Sequence, residues 1–215
     1  MQPRLIGIAG MSGAGKSELA RYASLHLPER TQLVWMDSYY FSQDDIPMEE
    51  RVKVNYDHPD SLDWALFAQH LRAISAGEAF DEPVYLFDQH TRGTATRRIE
   101  PARYIIVEGL LALHNPEIRE LFEVKVYVTT PDDVCLARRV ERDIHQRGRT
   151  EESVLAQYHA TVLPMAIQFV KPTEQFADLV VSGEQPLSES YAAVTRALSP
   201  GQNEVQMPLF RTPIA

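Results

Sequence analysis

The segment Gly10-Met11-Ser12-Gly13-Ala14-Gly15-Lys16-Ser17 follows directly on the apolar run Leu5–Ala9, and no other stretch restricts the fold as tightly. It carries the spacing G-x-x-x-x-G-K-[ST]. The small residues Gly10, Ser12, Gly13, Ala14 and Gly15 let the backbone turn its N–H groups toward a polyphosphate, and the next helix adds a positive N-terminus. In such a loop Lys16 reaches the β- and γ-phosphates, and the Ser17 hydroxyl ligates Mg²⁺. A chance match in a glycine-rich loop would not need a buried-type strand before it and a helix after it. This one has both contexts.

The surrounding pattern alternates strands and helices. Leu5–Ala9 is a short apolar run without alternation, as expected of a strand covered on both faces, and Gln32–Met36, Tyr104–Val107, Val124–Val128 and Leu179–Val181 read as four further strands. Helices are expected from Lys16 to Leu27, at Pro116, from Thr130 or Asp132 onward, from near Thr150, and from Glu189 to Leu198. Another, capped by Asp60 or Ser61 and ended by Gly77, carries Trp64, Phe67, Leu71 and Ile74 at helical spacing. The Thr130 helix carries Val134, Ala137, Val140 and Ile144. Residues 37–60 look irregular, and 78–102 look like loop with room for a hairpin. This is an α/β chain with the P-loop NTPase fold: a five-stranded, mostly parallel sheet covered by helices on both faces. One domain spans 1–198, and 199–215 form a tail.

Ligands of such sheets lie beyond the carboxyl ends of the strands, so residues after the first three strands converge. Glu108 ends the third strand and is a candidate partner of Ser17 in holding Mg²⁺; the plainer alternative is a solvated strand end. Asp37 follows the second strand and could accept the proton of an attacking hydroxyl, or simply cap a helix. Arg138, Arg139, Arg142, Arg147 and Arg149 lie within twelve residues around Gly148. A solvated helix face is the plain explanation. Planar forks suited to phosphate and a glycine break favour an arginine-rich closing lid over about 138–157. Tyr85 and His90 are unremarkable alone, and no second His stands at metal-ligand spacing, so no zinc site is expected.

Charge and composition exclude other classes. A net charge of -9 opposes sequence-independent nucleic-acid binding. No apolar run approaches a membrane span. Cys135 is the only cysteine, which precludes an internal disulfide and suits a small buried hydrophobe in a reducing compartment. Met1-Gln2-Pro3-Arg4 leads straight into a strand without a secretory leader, so a cytoplasmic location is expected.

Seven segments in order resemble the uridine-cytidine kinase family, within the larger uridine kinase and phosphoribulokinase group. They are Gly10 to Ser17; Asp37-Ser38-Tyr39-Tyr40; Asn55-Tyr56-Asp57-His58-Pro59-Asp60; Tyr85 through Arg92; Val107-Glu108-Gly109; Arg138 through Arg149; and Gln157-Tyr158. The resemblance implies transfer of a phosphoryl group from ATP or GTP to the 5′-hydroxyl of uridine or cytidine. It implies that Asp37 is the catalytic base and that Tyr40 lines the nucleoside pocket. Asp57 would hold the ribose hydroxyls, and Tyr85 and His90 would read the pyrimidine edge. Arg139 and Gln157 would be further nucleoside contacts. Arg142, Arg147 and Arg149 would act from the lid on the triphosphate, with Arg142 catalytic beside Lys16. Ser17 and Glu108 would be the magnesium pair. It also implies a homotetramer and feedback inhibition by pyrimidine triphosphates. The sequence departs from the family at Leu86 and Thr129, each where Asp is usual, and at Leu163, where a basic residue is usual. A kinase of the same fold acting on another small alcohol, such as a sugar phosphate or pantothenate, stays open. A nucleotide-sensing switch stays open too, although no N-K-x-D guanine reader is present.

Overall fold

Leu5, Ile6, Ile8 and Ala9 are all buried, so alternate residues of the first strand point into covered faces on both sides. The computed structural model, described for residues 2–199, builds the chain from that strand outward. The strand β1 (Arg4–Gly10) leads through the glycine loop into α1 (Lys16–His26), and β2 (Thr31–Trp35) follows. A single tight turn, Met36–Tyr39, then carries Asp37. After the short α2 (Met48–Arg51) come α3 (Trp64–Ser75) and the antiparallel pair β3 (Phe80–Leu86) and β4 (Thr91–Ile99). The remaining elements are β5 (Tyr104–Glu108), α4 (Pro116–Arg119), β6 (Val124–Thr129), α5 (Asp132–Arg147) and α6 (Glu151–Gln157). They end with α7 (Leu163–Met165), β7 (Leu179–Ser182) and α8 (Leu187–Ala197).

The sheet has five parallel strands in the order β2-β5-β1-β6-β7. Ile8 and Trp35 both pair with Glu108, which lines up the carboxyl ends of β1, β2 and β5. Gly10 at the end of β1, Glu108 at the end of β5 and Asp37 just after β2 therefore open onto one crevice. The core is centred on β1 and β5, where Ile6, Ile8, Ile105 and Ile106 are fully enclosed. Each contributes roughly 1.5–3 kcal/mol through burial. The β3–β4 hairpin forms its own two-stranded sheet, so residues 78–102 are more regular than a loop.

Three expectations need correction. Asp63, not Asp60 or Ser61, caps α3, accepting from the Leu66 amide at 3.1 Å. The Ser61 hydroxyl is used in closing the preceding loop, where it meets the carbonyls of Tyr56 and His58. The buried stripe of α5 is Cys135, Arg139 and Asp143, while Ala137 is exposed and Val134, Val140 and Ile144 are half-buried. This helix turns its inner face to the glycine loop and to an ionic cluster rather than to hydrocarbon. Finally, α8 begins at Leu187, just after Pro186, rather than at Glu189.

Between Tyr158 and Val170 the helix widens into two π turns around α7. Pro164 lies within that run and has no N–H to give the ladder, which accounts for the departure from α geometry. Among the described residues no helix is long and apolar enough to cross a membrane. The expected tail, apart from Ser199, lies outside the described residues.

Candidate active site

A cavity of about 970 Å³ lies over the carboxyl ends of β1, β2 and β5. At its floor Ser12, Gly13, Gly15, Lys16 and Ser17 form the cradle. Gly13 has φ +84, and a Cβ there would come within 2.3 Å of the Cys135 carbonyl oxygen, so both its conformation and its space demand glycine. Gly10 and Ala14 do not line the cavity. Gly10 lies against the Val128 backbone, and Ala14 donates its amide to Met11 while its carbonyl accepts from Thr130 at 2.9 Å. These two shape the loop from behind.

The Lys16 ammonium donates to the Met11 carbonyl at 2.9 Å. Burial pushes its pKa down, while the carboxylates of Glu108 and Asp37 oppose that shift. Asp37 is thus within electrostatic reach of the cradle lysine and lines the same cavity. The Ser17 hydroxyl donates to Glu108 at 3.1 Å. Burial raises the Glu108 pKa, with Lys16 pulling it back. A hydroxyl beside a carboxylate is a hard-oxygen donor pair of the kind Mg²⁺ takes while keeping several waters, so these residues fit that ion.

The opposite wall is aromatic. Tyr40 lies edge-on to Tyr56 and to Tyr85, at centroid separations of 5.4 and 5.2 Å. Burial raises the pKa of the Tyr40 and Tyr85 hydroxyls, so both stay protonated and able to donate. The Tyr85 hydroxyl is buried without a hydrogen-bond partner. Among the described non-glycine residues His90 alone has positive φ, at 50, and its pKa is lowered by burial and then by Arg149 and Arg147. Asp57 is buried, which raises its pKa, and Arg139 is the main opposing charge. Tyr40, Asp57, Tyr85 and His90 all line the cavity.

The arginine segment closes the third side. Arg139 donates to the Ser12 hydroxyl and to Gln157, each at 3.0 Å. Arg149 also donates to the Gln157 side-chain oxygen. Asp143 is fully buried, with Arg139, Arg142, Arg147 and Arg149 around its carboxylate at 2.8–3.7 Å. Four guanidiniums against one carboxylate leave an excess of positive charge facing the cradle. The single acid keeps the four from repelling one another apart. Arg147 also stands 4.9 Å over the Phe87 ring, so the arginine segment touches the hairpin tip.

The cavity brings together every candidate residue of the sequence analysis except Gly10 and Ala14. Sequence reasoning missed Asp143, Gly183, Tyr56 and Phe87 as parts of the site. An acid inside an arginine run was a usable signal for Asp143, and Tyr56 sits in a segment already singled out. Gly183 carried none: it is a lone glycine after a strand, yet a Cβ there would meet the Ala14 carbonyl oxygen at 1.9 Å. Arg138, named only as part of the run, donates to the carbonyls of Gly183 and Gly13 at 3.1 and 3.4 Å. Leu86 does not line the cavity; it packs beneath Gly93 of β4.

Residues 5–186 match the model of the Phosphoribulokinase / Uridine kinase family. A uridine kinase from Tolumonas auensis is 45% identical over 82% of this chain and 85% of its own length. One from Salmonella paratyphi B is 46% identical, again over 82% and 85%. Among solved structures, phosphoribulokinase from Rhodobacter spheroides superposes with a TM-score of 0.63 at 16% identity, covering 86% of this chain and 74% of that one. D-glycerate 3-kinase from Cryptococcus neoformans gives 0.59 at 15% identity, covering 86% and 88%. At such identities these two speak to fold alone.

Proposed function

The chain belongs to the phosphoribulokinase and uridine kinase family, and from that premise we propose that it phosphorylates the 5′-hydroxyl of uridine or cytidine with ATP or GTP as donor. The observation that supports this is the shared cavity: it is lined by Lys16, Ser17, Asp37, Tyr40, Asp57, Tyr85 and His90, and Asp37 is within charge reach of Lys16 as well as of Tyr40, Asp57 and Tyr85.

The roles are those the family resemblance implies, and the charge and position of the residues are consistent with them. The cradle amides, Lys16 and the lid residues Arg142, Arg147 and Arg149 hold the triphosphate and meet the charge that spreads over the transferring group. Ser17 and Glu108 are the residues that would hold Mg²⁺, which when bound offsets phosphate charge. Asp57 accepts from the ribose hydroxyls, and Arg139 and Gln157 set the nucleoside's position. Tyr85 and His90 present groups to the base edge. The acceptor oxygen then bonds to the γ-phosphorus as the bond to the β,γ-bridging oxygen breaks. Asp37 takes the hydroxyl proton, and the nucleoside diphosphate leaves. Closure of the arginine segment excludes water that would otherwise compete.

The same reading makes 1–198 the kinase domain and the protein a cytoplasmic homo-oligomer; light scattering of the purified chain checks the assembly. The reaction is tested by a coupled assay of diphosphate release over a panel of nucleosides and small alcohols. Turnover on uridine or cytidine well above the rest is expected. Turnover on ribulose 5-phosphate or pantothenate but on no nucleoside would move the protein to a sister activity.

A further inference from the structure

The free edge of β2 is occupied by two side chains where a sixth strand would sit. Among the described residues only β5 pairs with β2, so Leu33 and Trp35 turn backbone groups outward with no neighbouring strand among them. Glu82 of β3 and Arg97 of β4 stand directly opposite each other in the hairpin and reach that edge together. One Glu82 oxygen accepts from the Trp35 amide at 2.8 Å. Its other oxygen accepts from the Arg97 Nε at 2.8 Å, and Arg97 Nη2 donates on to the Leu33 carbonyl at 2.6 Å. One acceptor and one donor thus stand in for the backbone groups of a neighbouring strand. Glu82 is 1% exposed, and the cost of removing its carboxylate from water is offset here by the Trp35 amide and the Arg97 guanidinium, so losing either partner would leave the charge stranded.

The placement of the pair suggests its role. Trp35 lies two residues before Asp37, and Glu82 lies three before Tyr85. Above the pair, the hairpin register shifts between Pro83 and Tyr85, so backbone pairing alone transmits position poorly from base to tip. A second anchor sits at the tip: Arg92 donates to the carbonyls of Tyr39 and Tyr40, both at 3.1 Å. The hairpin is therefore pinned at both ends to the chain segment that carries Asp37, once below the bulge and once above it.

We propose that the Glu82–Arg97 pair is a positioning device for the acceptor alcohol: it docks the hairpin on the open edge of β2 and so holds Tyr85 and His90 in register with Asp37. This rests on the functional reading above, in which the acceptor lies between hairpin and Asp37. Neither residue lines the cavity, so both act through others.

The test uses the full chain and the alcohol that the unaltered protein phosphorylates best. Glu82→Gln should raise the KM for that alcohol by about tenfold or more, since small misplacements of bound groups are costly, while the KM for ATP stays within about twofold. Arg97→Lys keeps the charge but loses the Nε contact that gives Glu82 its second bond from the guanidinium, and should give an intermediate rise. If both KM values climb together, or neither moves, the pair is merely structural and the proposal falls. Should Glu82→Gln not fold, Arg97→Gln, at a half-exposed position, is judged by the same two KM values and the same criteria. If the unaltered protein phosphorylates no alcohol, the functional reading fails. Docking is then tested by amide hydrogen exchange in Glu82→Gln, or in Arg97→Gln if that variant alone folds: faster exchange confined to 31–37 and 80–99 upholds it, and unchanged or chain-wide exchange overturns it.

Discussion

The donor cradle and the acceptor pocket share one cavity but are built from different material. The cradle is one contiguous loop whose working groups are mostly backbone amides. Its shape is set from behind by close approaches, Gly13 on the Cys135 carbonyl and Gly183 on the Ala14 carbonyl. The acceptor pocket is made of side chains brought from the β2 turn, the 55–57 loop, the hairpin, α5 and α6. A site made of backbone can be broken only by moving the chain. A site made of side chains can be altered one group at a time, but its precision depends on how its segments are docked.

The sharpest way to separate the two halves is to remove chemistry from one while sparing the other. Asp37→Asn should lower kcat by about 10²–10⁴-fold, the usual worth of a positioned general base. ATP binding measured by calorimetry should hardly change, because Asp37 contributes no group to the loop. Unchanged turnover in that variant would remove Asp37 from the reaction. The converse experiment intrudes on the backbone. Gly183→Ala puts a methyl group where the Ala14 carbonyl already sits, and the rigid loop must shift. A fall of about 10²-fold in kcat/KM for ATP is expected from such a displacement, with the acceptor KM much less affected. Equal damage to both substrates would mean that the halves are mechanically one.

The same contrast explains what could be inferred without coordinates. The cradle was legible because its eight residues are adjacent and their spacing is dictated by phosphate geometry. Glu108 was legible because it ends a buried strand, and Asp37 because it follows closely on another strand. The hairpin was legible only as a loop with room for one: Thr91-Arg92-Gly93-Thr94-Ala95-Thr96-Arg97-Arg98 lacks apolar alternation, since much of β4 faces solvent and Arg97 meets β2 through a hydrogen bond to the Leu33 carbonyl. The inner face of α5 was misjudged for a related reason. Apolar periodicity identifies the side of a helix that meets hydrocarbon, and Cys135, Arg139 and Asp143 meet a loop and a charge cluster instead. Gly183 had no local signal at all, because what constrains it is a carbonyl far away in sequence.

Acid should affect the two halves together, since each holds a buried carboxylate. Burial raises the pKa of both Glu108 and Asp57 above their ordinary values of 4.5 and 3.8. In the proposed roles, Glu108 toward the metal and Asp57 toward the ribose hydroxyls, both must be ionised. Activity is therefore present above the raised values and lost as pH falls through them. The acid limb of kcat/KM should lie above the ordinary carboxylate range, and a limb at or below pH 4 would contradict it. Stability moves the other way. Between the unfolded and folded pKa values the native state binds more protons, so these two groups cost stability as pH rises through that window.

The smallest expected effect tests the acceptor half most finely. The Tyr85 hydroxyl is buried and has no hydrogen-bond partner, although the neighbouring Tyr56 hydroxyl donates to the Arg51 carbonyl at 3.1 Å. A buried hydroxyl without a partner costs stability in the free protein, so Tyr85→Phe should leave the melting temperature unchanged or slightly higher. If the hydroxyl is held in reserve for the base of the acceptor, the same change should raise the nucleoside KM by roughly 2–10-fold, one neutral hydrogen bond's worth, with the ATP KM untouched. The two readouts move in opposite senses only if the missing partner is the substrate. A lower melting temperature with an unmoved KM would mean that the hydroxyl serves the fold, and the pocket would then have to recognise its base through His90 and the aromatic wall alone.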